Sequence, residues 1–94
     1  MTSLIAVKSD YIIKANRVYE NLKEAEEAFE ASAIVLDHFK CILARKEEIR
    51  DFTADGIYVS VYHSNEGYEL YYLNYRMSLV VYDDMIVDYT LSRN

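Results

Sequence analysis

The sequence predicts an α+β fold, a two-layer sandwich in which one long helix packs on an antiparallel β-sheet. Residues 21–51 contain neither proline nor glycine, and their apolar residues recur at the spacing of one helix face. Residues 57–91 instead alternate apolar and polar side chains in short runs separated by turn residues, which is typical of strands. A chain of 94 residues supports one modest core, so we expect residues 1–94 to form a single domain.

The first twenty residues allow two interpretations. Residues 3–8 and 11–18 are rich in β-branched and aromatic side chains, which favours an N-terminal strand. An earlier helix start is the alternative, because apolar residues in this region also fall at helical spacing: Ile12, Ala15, Tyr19 and Leu22. Asn21 followed by Glu24 is typical of a helix N-cap, and this pair favours a strand followed by a helix from Leu22.

The long helix is predicted over about residues 22–50, with a break near residues 31–33 as an alternative. Its apolar stripe consists of Leu22, Ala25, Phe29, Leu36, Phe39 and Leu43. Residues 33–43 are mostly apolar, so we expect that half, with Cys41, to be buried on several sides. A continuous helix would be about 45 Å long. It would extend beyond strands of about 23–30 Å, and this overhang predicts a homodimer.

The predicted sheet has three to four C-terminal strands in addition to the N-terminal one. Strands are expected at residues 57–63, 68–76, 79–82 and 85–91. The turns between them are expected at residues 64–67, where Gly67 would take a positive φ, and at residues 77–78 and 83–84. The last two runs could instead form one long strand with a bulge.

Charge and composition limit the classes of partner that the chain can bind. The chain has 16 acidic and 10 basic residues, a net charge of −6, which disfavours direct binding to nucleic acid or to an anionic membrane. It favours a protein partner with a basic surface. A single cysteine, no signal peptide and no long apolar run predict a soluble, cytoplasmic protein.

Few residues suggest catalysis or metal binding. His38 and Cys41 are three apart on the predicted helix, but a nucleophile pair or zinc site needs further groups. Asp83, Asp84 and Asp88 lack the spacing of a calcium loop. We therefore expect no enzyme activity, no metal and no cofactor, and a small metal or Cys/His enzyme is the least favoured hypothesis.

The tyrosines are the least ordinary feature, since eight of the ten follow residue 57. Tyrosine packs well on a pleated sheet, but it is also enriched at the centres of protein interfaces. Alternation places Tyr58 and Tyr62 on the strand face opposite the aliphatic side chains. One tyrosine pair of the next strand should share that exposed face, either Tyr68 with Tyr72 or Tyr71 with Tyr75. We expect Tyr71 and Tyr75 to lie there and to bind a partner.

The start of the helix provides a second candidate surface. Glu20, Glu24 and Glu27 lie at steps of four and three, and Glu30 follows on a neighbouring edge. The carboxylates would be about 5–6 Å apart along such an edge, a spacing similar to that of phosphates on a nucleic-acid strand. The edge could therefore mimic nucleic acid and occupy a basic groove of a partner.

Taken together, these features favour a small non-enzymatic binding protein that inhibits or neutralises a larger basic partner. Its contacts would be the acidic helix edge and the tyrosine face with Asp83, Asp84 and Asp88. In size, charge and element order the chain resembles phage-encoded anti-defence proteins, such as anti-CRISPR proteins, and toxin-immunity proteins. The alternative is a structural or assembly protein that self-associates through the tyrosine face or the helix overhang.

Overall fold

A computed structural model describes residues 22–93, and their side chains from residue 26 onward. Within these residues, one helix packs on a five-stranded antiparallel sheet, which confirms the predicted α+β class. The elements are α1 (Leu22–Ala44), β1 (Phe52–Ala54), β2 (Ile57–His63), β3 (Gly67–Tyr72), β4 (Tyr75–Tyr82) and β5 (Met85–Arg93). The predicted N-terminal strand and the cap at Asn21 lie outside the described residues.

Helix α1 continues through residues 31–33 without a break, but it ends at Ala44 and not near residue 50. Lys46 adopts a left-handed conformation with φ 55. Its N–H donates to the Leu43 carbonyl (3.1 Å), and the Glu47 N–H donates to the Ile42 carbonyl (3.0 Å). This pair of bonds is the Schellman motif, which terminates a helix and usually places glycine at the left-handed residue. Because a lysine occupies that position, the prediction placed the end too late.

The sheet is a meander in the order β1-β2-β3-β4-β5, so each strand pairs with the next along the chain. The predicted strand over residues 68–76 and link at residues 77–78 are wrong. Tyr72 pairs with Tyr75, and the turn falls at Leu73 and Asn74. Leu73 takes φ 51 there without the glycine that marks most such turns. The predicted turn at residues 83–84 is confirmed, and both aspartates have positive φ.

Gly67 is required for a different reason from the predicted one. It begins β3 and does not take a positive φ. A Cβ at this position would instead meet the carbonyl oxygen of Leu79 and lie 2.9 Å from the nitrogen of Val81. Both atoms belong to the backbone of β4, so the close approach of two strands excludes a side chain here.

The core lies between α1 and one face of the sheet. The buried helix positions recur at steps of three and four: Ala28, Ala31, Ser32, Val35, Leu36, Phe39, Ile42 and Leu43. They pack against Val59, Leu70, Met77, Leu79 and Leu91 of the sheet. The expectation that residues 33–43 are buried on several sides is wrong, because Asp37, His38 and Cys41 are exposed. Among the described side chains, the fully buried positions of α1 lie on a single face, while Ala33 and Ile34 on other sides of the helix are half-buried.

The length of α1 also changes the predicted overhang. Its 23 residues span about 35 Å. The nine residues of β5 span about 30 Å. The described helix is therefore only slightly longer than the sheet, and the homodimer stays a prediction without its main premise. Within residues 22–93, no helix has both the length and the apolar character needed to cross a membrane.

Candidate partner-binding surface

The strand register assigns every sheet side chain to one of two faces. Side chains alternate between the two faces along a strand, and residues directly opposite each other on paired strands share a face. The residues that pack on the helix, together with their partners in register, therefore define the inner face. The opposite face, here called the outer sheet face, carries tyrosines, acids and small hydroxyl residues. Its main members are Tyr58, Ser60, Tyr62, Glu69, Tyr71, Arg76, Ser78, Asp88, Thr90 and Ser92.

Three of the four predicted tyrosines lie on the outer sheet face. Tyr58 and Tyr62 are 59% and 58% exposed, and Tyr71 is half-buried. The predicted placement of Tyr75 is wrong, since it is only 8% exposed and lies on the inner face opposite Tyr72. The two-residue turn between β3 and β4 causes this difference. Residues 71 and 75 would share a face in one strand, but the turn reverses the chain between them.

Tyr58 is hydrogen-bonded to a carboxylate that was not among the predicted site residues. Asp51 accepts hydrogen bonds from the Tyr58 hydroxyl and from the Val61 N–H, each at 2.8 Å. The pairing of β1 with β2 stops at Phe52 and Val59, so Asp51 occupies the position where the next ladder bond would form. No local pattern predicts this bond, because Val61 is ten residues away along the chain.

The bonds to Asp51 shift two pKa values in opposite directions. The Val61 N–H, and then the Tyr58 hydroxyl, stabilise the ionised carboxylate and lower the pKa of Asp51. Donation to that carboxylate raises the pKa of Tyr58, and the negative charge of Asp51 adds to the effect. The Tyr58 hydroxyl is therefore occupied, while its ring stays available on the outer sheet face.

One part of this face combines a contact between two rings, a carboxylate and a depression. It is formed by Tyr62, Tyr71 and Glu69. The rings of Tyr62 and Tyr71 meet edge to face, with centroids 5.4 Å apart at 87°. Tyr62 lies directly opposite Glu69 in the β2–β3 register. Together with His63 these residues line a depression of about 540 Å³. Glu69 was not predicted as a site residue, although its alternation with Tyr71 places both on one face.

A second depression of about 420 Å³ adjoins the first through Glu69. Its lining includes the acids Glu66, Glu69 and Asp88 and the hydroxyl residues Ser78 and Thr90. Ser78 Oγ donates to Glu69 at 3.4 Å, and Asp88 accepts from the Tyr89 N–H at 2.9 Å. The predicted site residue Asp88 thus lies with the tyrosines on the outer sheet face.

The remaining predicted residues lie elsewhere. Asp83 and Asp84 are exposed at the β4–β5 turn. Glu30 is exposed on the side of α1 away from its buried positions, and Glu27 is exposed on the flank. Glu20 and the side chain of Glu24 lie outside the described residues. The acidic helix edge and the outer sheet face are therefore separated by the helix, about 10–12 Å across, and by the sheet.

The prediction that Cys41 is buried in the core is wrong, because Cys41 is exposed. The His38 ring is exposed but stacks on Phe52, with centroids 4.8 Å apart. Among the described side chains, no group of three or more His, Cys, Asp or Glu residues is arranged to hold a metal ion.

Comparison with protein-family models, with curated proteins and with solved structures finds no match to this chain.

Proposed function

We propose that this chain is a non-enzymatic, acidic protein-binding module that inhibits or neutralises a larger partner with a basic surface. The partner we favour is a nucleic-acid-binding protein, as for phage-encoded anti-defence proteins and toxin-immunity proteins. One observation carries the proposal: the outer sheet face combines exposed tyrosine rings with carboxylates. The strands and turns of the sheet, residues 52–93, contain six acids, two arginines and no lysine.

Tyrosine and acid have complementary roles in such a contact. Tyrosine contributes a large, rigid ring and a hydroxyl, and it is enriched among the residues that dominate binding energy. Surface carboxylates attract a basic partner during diffusional encounter and disfavour acidic competitors. The same negative charge repels nucleic acid, whose binding requires basic side chains. A protein with a basic groove fits this combination better than nucleic acid itself.

The geometry favours the outer sheet face over the helix edge as the main contact. A single flat partner cannot reach both, because they lie on opposite sides of the two-layer fold. The outer sheet face offers aromatic rings and adjoining depressions. The exposed helix acids Glu27 and Glu30 offer only solvated charge, which contributes little binding energy by itself. The helix edge could still increase the association rate.

The test is affinity capture from a native host lysate, followed by mass spectrometry and by a nucleic-acid-binding assay of the captured protein. Tyr62→Ala and Glu69→Lys are expected to abolish capture, while Glu30→Lys leaves it largely intact. Adding the chain should reduce nucleic-acid binding by the captured protein. The proposal is wrong if Glu30→Lys is as harmful as the two outer-face substitutions, or if the captured protein keeps its full activity.

Salt dependence provides a second measurement on the same complex. Contacts between acids and a basic surface are screened at high ionic strength, so capture should weaken steeply with salt. Capture that does not depend on salt would assign the binding energy to the tyrosine rings and would refute the electrostatic part of the proposal.

Self-association is the second candidate function, and one observation favours it. Tyr82, Met85 and Val87 expose large apolar side chains around the β4–β5 turn. Strand β5 is also nine residues long and ends the sheet order of the described strands. Long edge strands can pair with another chain. A mass that increases with concentration and returns to the monomer value in Val87→Lys would favour an assembly protein.

A further inference from the structure

We infer that Tyr62, Tyr71 and Glu69 form a recognition site for an arginine side chain of the partner protein. This inference rests on the proposed function, because it assigns the chemistry by which the basic partner is recognised. It deepens that proposal by naming one side chain and one position on the outer sheet face.

The site combines the two groups that bind a guanidinium ion. The edge-to-face pair of Tyr62 and Tyr71, with centroids 5.4 Å apart, leaves ring surface at the depression that both residues line. Aromatic faces attract cations through their negative quadrupole. Glu69 lines the same depression and lies directly across from Tyr62, so its carboxylate can accept from a cation seated on the ring.

Arginine fits this arrangement better than lysine. A guanidinium is planar, so it can stack on a tyrosine ring and donate two parallel hydrogen bonds to one carboxylate. An ammonium ion is compact and more strongly hydrated, so it loses more on leaving water. Glu69 is half-buried and accepts a long, weak hydrogen bond from Ser78 Oγ, at 3.4 Å. Its carboxylate therefore keeps lone pairs for an incoming donor.

Among the described residues of the outer sheet face, the one arginine is directed elsewhere. Arg76 pairs with Tyr71 in the β3–β4 register. Its Nε, however, donates to Ser92 Oγ at 3.3 Å on β5, across β4 from Glu69. The acids around the second depression, Glu66 and Asp88, add negative charge beside the site. An arginine of a partner would therefore meet a local excess of carboxylates.

The experiment uses three pentapeptides with glycine at every position except the centre, which holds arginine, lysine or citrulline. Citrulline has nearly the shape of arginine but no charge. Binding to the full chain is followed by NMR through the ring protons of Tyr62 and Tyr71. We expect the arginine peptide to bind at least about threefold more tightly than the lysine peptide, and the citrulline peptide about tenfold more weakly. Equal binding of arginine and citrulline peptides would overturn the inference.

Variants locate the site on the surface. Glu69→Gln should weaken arginine-peptide binding about tenfold and Tyr62→Leu about threefold or more. Asp55→Asn is the matched control, because it removes one negative charge from the β1–β2 turn, at the other end of β2 from Tyr62, and should leave binding unchanged. Asparagine also tolerates the left-handed backbone of Asp55, which has φ 51. Equal losses in Glu69→Gln and Asp55→Asn would show that only net charge matters and would refute the site.

The outcomes separate this inference from the proposed function. If a basic partner is captured through the outer sheet face but no arginine peptide binds, the arginine site is wrong and the proposed function stands. If the arginine peptide binds at Tyr62 and Glu69 but no partner is captured or inhibited, the proposed function is wrong and the arginine site stands.

Discussion

The two glycines of the chain should respond to the same substitution for opposite reasons. Gly56 takes φ +80 in the β1–β2 turn, and a Cβ there would meet nothing within 4 Å. Gly56→Ala therefore adds only backbone strain, about 1–2 kcal/mol. At Gly67 the φ is ordinary, but a Cβ would lie against the Leu79 carbonyl oxygen and 2.9 Å from the Val81 nitrogen. These are backbone atoms of a paired strand, so Gly67→Ala should cost about 3 kcal/mol or more.

Urea denaturation of both alanine variants measures the difference, provided that the slope of the transition stays constant. Asparagine provides the decisive control, because it tolerates a left-handed backbone better than alanine does. Gly56→Asn should recover part of the stability lost in Gly56→Ala. Gly67→Asn should be no better than Gly67→Ala, since the collision involves Cβ itself. Recovery at position 67, or a larger loss at position 56 than at 67, would refute the steric explanation.

Three further predictions concern a buried hydrogen bond, a left-handed backbone position and the hydrogen-bonded pair of Asp51 and Tyr58. Ser32 and Tyr72 share a buried 2.5 Å hydrogen bond between helix and sheet. A double-mutant cycle of Ser32→Ala and Tyr72→Phe should give a coupling energy of about 0.5–1.5 kcal/mol in urea denaturation; additive losses would contradict it. Lys46→Gly should stabilise the chain by about 0.5–1 kcal/mol because Lys46 has φ 55, whereas Lys46→Ala, which keeps the Cβ, should not. Folding lowers the pKa of Asp51, so its stabilising contribution is present above the unfolded pKa and is lost as pH falls through the folded value. Asp51→Asn should therefore destabilise the chain at neutral pH, with a smaller difference from wild type in acid; an equal difference at every pH would contradict this. Folding raises the pKa of Tyr58, so the stability that Tyr58 contributes is present below its unfolded pKa. That contribution is lost as pH rises through the folded pKa of Tyr58.

The helix and the inner sheet face could be predicted from the sequence because both depend on local periodicity. Apolar residues at steps of three and four placed Leu36, Phe39 and Leu43 in the core, and all three are buried. The end of the helix could not be predicted in this way. It depends on Lys46 in a conformation that glycine usually takes, so the sequence contains no composition signal for it.

The strand boundaries show which signal was missed. The apolar residues Tyr75, Met77, Leu79 and Val81 alternate with residues of the other face, which is the period of one continuous strand. That alternation is incompatible with a turn at residues 77–78. It was not recognised because tyrosines occupy both faces of the preceding run of residues. The turn before this strand has Leu73 at φ 51, a position where glycine is usual, and Asn74 is its single residue typical of turns. One asparagine between two tyrosine-rich strands was a weak signal, and Tyr75 was assigned to the wrong face.

The site residues also differ in whether a local pattern or strand pairing determines their position. Tyr58 and Tyr62 were predictable, because their exposure follows from alternation with Val59 and Val61 within a single strand. Asp51 was not, since its bond to the Val61 N–H depends on strand pairing. The face of Glu69 follows from its alternation with Tyr71, but its position opposite Tyr62 comes from strand pairing. A search for charged residues in register with exposed tyrosines would have found Glu69 once the β2–β3 hairpin was placed.

The two-layer arrangement changes how the two predicted surfaces can act. An acidic helix edge and a tyrosine face on one side of the fold would form one composite interface. Here α1 packs on the inner face, so Glu30 and Tyr62 point to opposite sides. Substitutions at the two positions should then affect partner binding independently, with free-energy changes that add. Strong coupling between Glu30→Lys and Tyr62→Ala in partner capture would require a partner that encloses the chain from both sides. Additivity would leave the outer sheet face as the contact and the helix acids as a source of long-range attraction.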